Sequence, residues 1–518
     1  MNKKAPHRRI DVNLKELDDI LDRTNSGPLS EAETQKLRVA IHAMADQLRP
    51  KRNSEKTKAV FAKPALEASP PTKDPSVIKE EMVAPGGHGR NGAADFIGGI
   101  RVSIPHATLQ PGHTCPECGK GKVYRQKEPA TLVRIIGRAP LETTVFEMER
   151  LRCNACGQVF TATAPEAAGS EKYDASAIAM IALLKYGTGV PFKRLERLQG
   201  QLTMPLPAAT QWELMAAAAS PMWPVLKALI WFAAQGGVMH NDDTGMRILR
   251  LTREPGDKRT GVFTSGIVSI AGAYRVALFF TGAQHAGENI AEVLKHRASE
   301  LPAPIQMCDA LSRNSPKPAG VATLLANCMA HGRRQIVEIA ENFPEQSRYV
   351  LQSVASVYHN DALAREQNLS AEQRLHFHQE HSGPVLEELR DWMKAQFAER
   401  RVEPNSGLGK AFSYLLNHWT KLTLFLSQPD APLDNNVVER ALKKAILNRR
   451  NALFYKTLNG AAVGDLFMSL IHTCELNDIN PFGYLTALLR HAGRLKQNPS
   501  AWLPWNYREA VACVSTAA

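Results

Sequence analysis

The sequence shows no uninterrupted apolar run long enough to cross a membrane. Its longest uninterrupted apolar stretch, ASAIAMIALL at 175–184, falls far short of the ~20 residues a spanning helix needs. The N-terminus MNKKAPHRRID is basic but no apolar core follows it, so no secretory leader is expected. Cysteine is sparse. Of eight cysteines, four form two Cys-x-x-Cys pairs and four (Cys308, Cys328, Cys474, Cys513) are scattered, which argues against a disulfide framework and for a reducing, cytoplasmic compartment. Acid is short relative to base: 51 Asp+Glu stand against 63 Lys+Arg, for a net charge of +12 and a pI near 9.3. That imbalance favours polyanionic partners through counterion release, although basic charge alone identifies none. No internal repeat of solenoid period is present either.

What is present begins with size: 518 residues are too many for one core, so several domains are expected. Residues 1–50 read as helical. Leu37, Ile41, Met44 and Leu48 make an apolar stripe, and Ser30 with Glu33 offers a capping box after Pro28. So short a stripe either pairs with another copy or docks on its own chain. Residues 51–99, rich in Lys, Pro, Ser, Glu and Gly, have linker composition. Residues 100–165 hold the cysteine pairs Cys115/Cys118 and Cys153/Cys156. Tetrahedral zinc takes four thiolates, and each pair supplies two from one tight turn, aided by Gly119 and Gly157. The β-rich segment between the pairs predicts short strands bridging two knuckles, hence a zinc ribbon, although its length exceeds the usual spacing. Residues 166–225 predict helices broken at 188–189 and 203–204, with Lys193, Arg194 and Arg197 on the middle piece. That pattern is similar to a helix-turn-helix DNA reader, and equally to a small helical bundle without nucleic-acid contact. The Pro/Trp-rich SPMWPVL at 220–226 reads as a joint.

Beyond the joint the period changes to two. Strands are expected in 236–252, 259–272 and 274–282, then a helix from 286, a short buried strand at 303–309 and another at 322–328. Three strands, a helix and a fourth strand match the opening order of the ribonuclease H-like fold. Residues 226–331 are therefore taken as the first part of a catalytic core, 332–430 as a helical insertion, 431–500 as the second part, and 501–518 as a tail.

Three acids stand out in this frame. Strand alternation puts Val238, His240 and Asp242 on one face and Asp243 on the other. Asp309 ends the strand IQMCD. Glu439 lies on a helix expected to start near Asp434 or Asn435, with Val438, Ala441, Leu442 and Ala445 as its buried stripe. Glu439 is the only acid in 437–456, among Arg440, Lys443, Lys444, Arg449, Arg450 and Lys456. An isolated carboxylate in a basic field suits metal binding beside phosphate. Two-metal phosphoryl transfer needs anionic oxygens for hard cations, and three carboxylates meet that demand. Any one of them alone is more often a cap or a solvated group. In NCMAHGRRQ, Cys328 and His331 have metal-pair spacing but lack two further ligands, so structural packing is favoured for them.

These motifs resemble those of the insertion sequence 66 family of transposases, over nearly the whole chain. HNDDTGM keeps the family's His240, Asp242 and Thr244, CMAHGRR departs from its motif only at Met329, and DNNVVERAL from Asp434 to Leu442 fits completely. Asp243 stands where the family has Glu, and Gly245-Met246 replace Pro-Trp. The resemblance implies a multidomain α/β protein: a ribonuclease H-like core with a helical insertion, preceded by a zinc-binding segment and a helix-turn-helix. It implies catalytic roles for Asp242, Asp309 and Glu439, held with Mg²⁺ or Mn²⁺, and structural Zn²⁺ at Cys115, Cys118, Cys153 and Cys156. The expected partners are the element's terminal inverted repeats and target DNA, with a dimer or larger assembly joining two ends on the nucleoid. Two rivals remain: a non-catalytic DNA-binding protein descended from a transposase, and a stand-alone ribonuclease H-like nuclease.

Overall fold

In the computed structural model the described residues are 100–251, 259–316 and 322–516, except 128, 129, 155 and 157, together with 30, 60 and 93–95. The expected N-terminal helices and linker lie outside them almost entirely. The described chain divides into two compact units, one holding residues 226–446 and 454–477, the other 100–225, 447–453 and 478–516.

In the second unit, the first cysteine pair sits in a tight turn bracketed by a bridge between Thr114 and Lys122. The Cys115 amide donates to Gly121 O at 2.7 Å and the Gly119 amide to Cys115 O at 2.9 Å. Gly119 has φ +65°, a conformation L side chains rarely adopt. The second pair lies in a hairpin of β1 (Arg150–Arg152) and β2 (Val159–Thr161), paired antiparallel with Leu151 opposite Phe160. Strands thus flank the second knuckle, and β1 is the part of the strand-rich segment between the pairs that forms; the described residues of 123–149 hold none. Apolar side chains there, Leu132 and Ile135 among them, are exposed, so no packed face rewards strand formation.

Helix α1 (Ala175–Ala182) starts at Asp174, whose carboxylate accepts from the Ala177 amide, and a π turn over Leu183–Gly187 extends it. Helix α2 (Phe192–Gln201) follows, then α3 (Ala208–Ala234). At the joint expected at 220–226 the division between the two units falls after Val225, but the helix does not break there: α3 runs through Pro221 and Pro224. An interior proline costs about 3 kcal/mol. The buried series Met215, Ala219, Met222, Val225, Leu229 and Ala233 continues across both prolines, and that burial outweighs the lost bonds. By length and composition α3 is also apolar enough to cross a membrane, a property the Gln, Ser and Pro within it concealed.

The first unit is built on a mixed sheet. Its strands are β3 (Val238–Gly245), β5 (Phe263–Ala271), β6 (Tyr274–Gly282), β7 (Ile305–Cys308) and β8 (Leu324–Asn327), in the order β6-β5-β3-β7-β8. β3, β5 and β6 pair antiparallel, while β7 and β8 run parallel to β3. The expected long first strand is divided: β4 (Ile248–Arg250) leaves this sheet to pair with a later strand. Helix α4 (Ala286–Leu294) precedes β7. After β8 come α5 (Met329–Ile339), α6 (Pro344–Glu366), α7 (Ala371–His381), α8 (Gly383–Ala398), α9 (Gly407–Asn417) and the short α10 (Trp419–Leu422). The apolar faces of all of these but α7 share one core with Val238, Ile305, Met307 and Ala326 of the sheet. Within these helices the buried Asp361 is held by Arg365, Arg374 and His378. Burial alone would raise its carboxyl; the His378 and Arg374 hydrogen bonds and the arginine charges outweigh that and keep it well below the usual range.

The chain closes with α11 (Asn436–Ala452), β9 (Tyr455–Thr457), which pairs with β4, and α12 (Leu458–Leu476), followed in the second unit by α13 (Pro481–Arg490) and α14 (Tyr507–Thr516). Helix α12 covers the open edge of β6. Asp465, Ser469, Thr473 and Asn477 accept from the amides of Thr281, Phe279, Ala277 and Arg275 at 2.6, 3.0, 3.1 and 3.0 Å. A four-residue helical step advances about 6 Å and a two-residue strand step about 6.8 Å, so the two rows stay nearly in register. The edge is thereby closed to other chains.

Candidate functional site

Three segments of the first unit meet at the end of β3. Asp242 lies on that central strand opposite Gly266 of β5. The parallel register His240–Met307, continued two residues, sets Asp309 beside Asp242. Asn314, in the turn after β7, joins them: its Nδ2 donates to Asp309 Oδ1 at 2.5 Å and to Asp242 Oδ1 at 3.2 Å. The amides of Asp243 and Leu311 also donate to these Oδ1 atoms, at 2.8 and 3.2 Å. Burial, then the charges of Asp309 and Asp243, push the Asp242 carboxyl up to about 7, against the Asp243 amide and Asn314 hydrogen bonds.

Asp243 is engaged elsewhere. Its carboxylate meets His285 Nδ1 at 2.8 Å and Arg313 at 3.4 Å. Beside that cluster opens a cavity of about 830 Å³ lined by Arg259, Phe263, His285, Glu288 and Arg313, among others.

Helix α11 approaches the sheet over Gly266. A Cβ built there would lie 3.0 Å from Leu442 and 3.2 Å from Val438, so any larger residue would require those side chains to give way. The buried stripe Val438, Ala441, Leu442 and Ala445 faces inward. Asn435, just before the helix, ties it down: Oδ1 to His240 Nδ1 at 3.1 Å, Nδ2 to Asn241 O at 3.1 Å, and its own amide to Cys328 Sγ at 3.2 Å. His240 is fully buried, and burial pulls it down to about 4, so its ring is neutral near pH 7.

Asp242 and Asp309 are thus brought together. Glu439, one turn into α11, turns its carboxylate to His331, 3.7 Å away. Among the described residues, the one group of three ligand-type side chains with ligand atoms all within 4.8 Å is Cys328, His331 and Glu439. Neither the three acids nor the four cysteines of the knuckles form such a group. In the first knuckle the amides of Gly121 and Lys120, then the Cys115 side chain, hold the Cys118 thiol below its usual value. On α11, Arg440, Lys443 and Arg450 are exposed, Arg449 is half-buried, and Lys444 is paired with Glu475 at 2.8 Å.

Two residues escaped sequence reasoning. Asn314 carried no signal, since it acts from a single 3₁₀ turn over Ser312–Asn314. Asn435 was visible as a helix-start residue, but not its reach to β3 and Cys328.

Residues 171–463 match the family described as Transposase IS66 family. The chain is similar to the uncharacterized protein y4jD of Sinorhizobium fredii (strain NBRC 101917 / NGR234), 26% identical over 81% of this chain and 84% of that protein. It is equally similar to the uncharacterized protein y4hP of the same strain, 26% identical over 79% of this chain and 76% of that one.

Proposed function

The chain belongs to the IS66 family of transposases, and from that premise we propose a DNA transposase of the Asp-Asp-Glu type, with Asp242, Asp309 and Glu439 as its catalytic carboxylates. The observation that carries this reading is the Asn314 amide shared by Asp242 and Asp309. Two acids far apart in sequence become one anionic pocket. Support for a ribonuclease H-like core comes from the order β6-β5-β3-β7-β8, with the first acid on the central strand and the second just past its parallel neighbour.

The pocket suits Mg²⁺ or Mn²⁺. Its oxygens are hard ligands, and the burial and carboxylate charges that push Asp242 up are offset by a cation between the carboxylates. Such ions, when bound, activate the attacking water or 3′-hydroxyl and stabilise the leaving oxygen. Asn314 and the Asp243 and Leu311 amides orient both carboxylates by their Oδ1 atoms. Glu439 approaches on a helix fixed to β3 through Asn435. Arg440, Lys443, Lys444, Arg449 and Arg450 supply positive charge for phosphate. The cysteine knuckles and helices α1 to α3 are assigned to binding the element's ends, with structural zinc in the knuckles. Because two ends must be joined, a dimer or larger assembly in the cytoplasm, on the nucleoid, is part of the proposal.

Asp309→Ala should lower metal-dependent nicking of element-end DNA by about 10²–10³-fold or more while a band-shift assay shows end binding unchanged. Loss of binding instead would count against the assignment. One observation favours the non-catalytic rival: the Glu439 carboxylate faces Cys328 and His331 and not the aspartates. End binding by wild-type protein without any metal-dependent nicking would decide for it.

A further inference from the structure

Cys328 precedes α5, His331 lies in its first turn, and Glu439 lies in the first turn of α11. Their sulfur, ring nitrogen and carboxylate oxygen converge within 4.8 Å. His331 Nδ1 and Glu439 Oε1 are both shut off from solvent, and neither has a hydrogen-bond partner among the described residues. They face each other at 3.7 Å, too far for a hydrogen bond. Two ligands of one tetrahedral ion, each bonded at ~2.0–2.1 Å, stand about 3.3–3.5 Å apart. An unsatisfied buried polar atom destabilises the fold, and a shared cation removes that cost from both. The Cys328 sulfur accepts the Asn435 amide at 3.2 Å, a contact that fixes its direction.

We propose that Cys328, His331 and Glu439 form a three-ligand site for a soft divalent cation of the zinc class, with a fourth position open. The chemistry of the set separates it from the aspartate pocket: thiolate and imidazole select zinc, cobalt or cadmium, whereas magnesium takes oxygen. The i, i+3 spacing of Cys328 and His331 puts both on one side of a helix start, and α11, anchored by Asn435, brings the third ligand from outside the motif. The site stands on its own geometry. One consequence rests on the transposase reading: a bound soft cation holds Glu439 away from Asp242 and Asp309, so zinc antagonises magnesium-supported nicking.

The test is cobalt titration of full-length, chelator-stripped protein, with bound metal counted and thiolate-to-cobalt absorption recorded. The cysteine knuckles contribute a background common to every variant. Cys328→Ser and His331→Gln should each lose roughly one equivalent relative to wild type, and Cys328→Ser should also lose its share of the absorption. Asp242→Asn should keep both, even though it stops nicking on the transposase reading. His331 is half-buried, so His331→Gln guards against a Cys328 variant that fails to fold, with circular dichroism as the check. Wild-type stoichiometry and spectrum in both folded variants would overturn the site, whatever the nicking assay shows. Loss of nicking in Asp242→Asn with the cobalt site intact would leave the two proposals separately supported.

Discussion

At the residue scale, polar groups inside the first unit decide how it answers to pH. Asp465 is fully enclosed between α12 and β6, and burial pushes its carboxyl up to about 7 despite hydrogen bonds from Thr281. The folded state therefore holds this proton more tightly than the unfolded chain, whose carboxyl has the ordinary value near 3.8. The resulting stability is complete below pH ~4 and is lost as pH rises toward 7, by about 4 kcal/mol at most. Asp361 works in the opposite sense: its arginine and histidine partners hold it low, so its contribution is present at neutral pH and fades in acid. Asp465→Asn separates the two. Denaturant midpoints measured from pH 4 to 8 should fall less steeply in the variant than in wild type; parallel slopes would mean that Asp465 is ionised in the fold.

At the element scale, the junction of β5 with α11 governs the third acid. Gly266 pairs with Asp242 across the sheet and lies under Val438 and Leu442. Gly266→Val should cost about 1–3 kcal/mol by overpacking and shift α11, so nicking should fall while the fold persists. A valine variant with wild-type nicking would show that close approach of this helix is not required. Much of this element pattern was legible beforehand. Strand alternation put Asp242 and Asp243 on opposite faces, and they do take different partners, Asn314 and His285. The α11 stripe follows from 3.6-residue periodicity, and its four residues are buried. Periodicity failed where burial was absent or continuous. The β-rich sequence of 123–149 has no packed face to pair on, and α3 keeps its apolar series through two prolines. The convergence of Cys328, His331 and Glu439 was illegible because the third ligand comes from a helix about a hundred residues further along, through contacts of Asn435 that no local spacing encodes.

At the scale of the whole molecule, a net charge of +12 and the exposed Arg440, Lys443 and Arg450 fit a partner that is a polyanion, and membership of a transposase family implies DNA as that partner. The proposed reading requires that Glu439 join Asp242 and Asp309 when DNA and magnesium are present. The most direct measurement is nicking of the element's own ends in Mg²⁺ by wild type, Asp242→Asn, Asp309→Asn and Glu439→Gln, with end binding followed in the same samples. All three variants should bind ends as wild type does and fail to nick. A Glu439→Gln protein that nicks at the wild-type rate would contradict a three-carboxylate site.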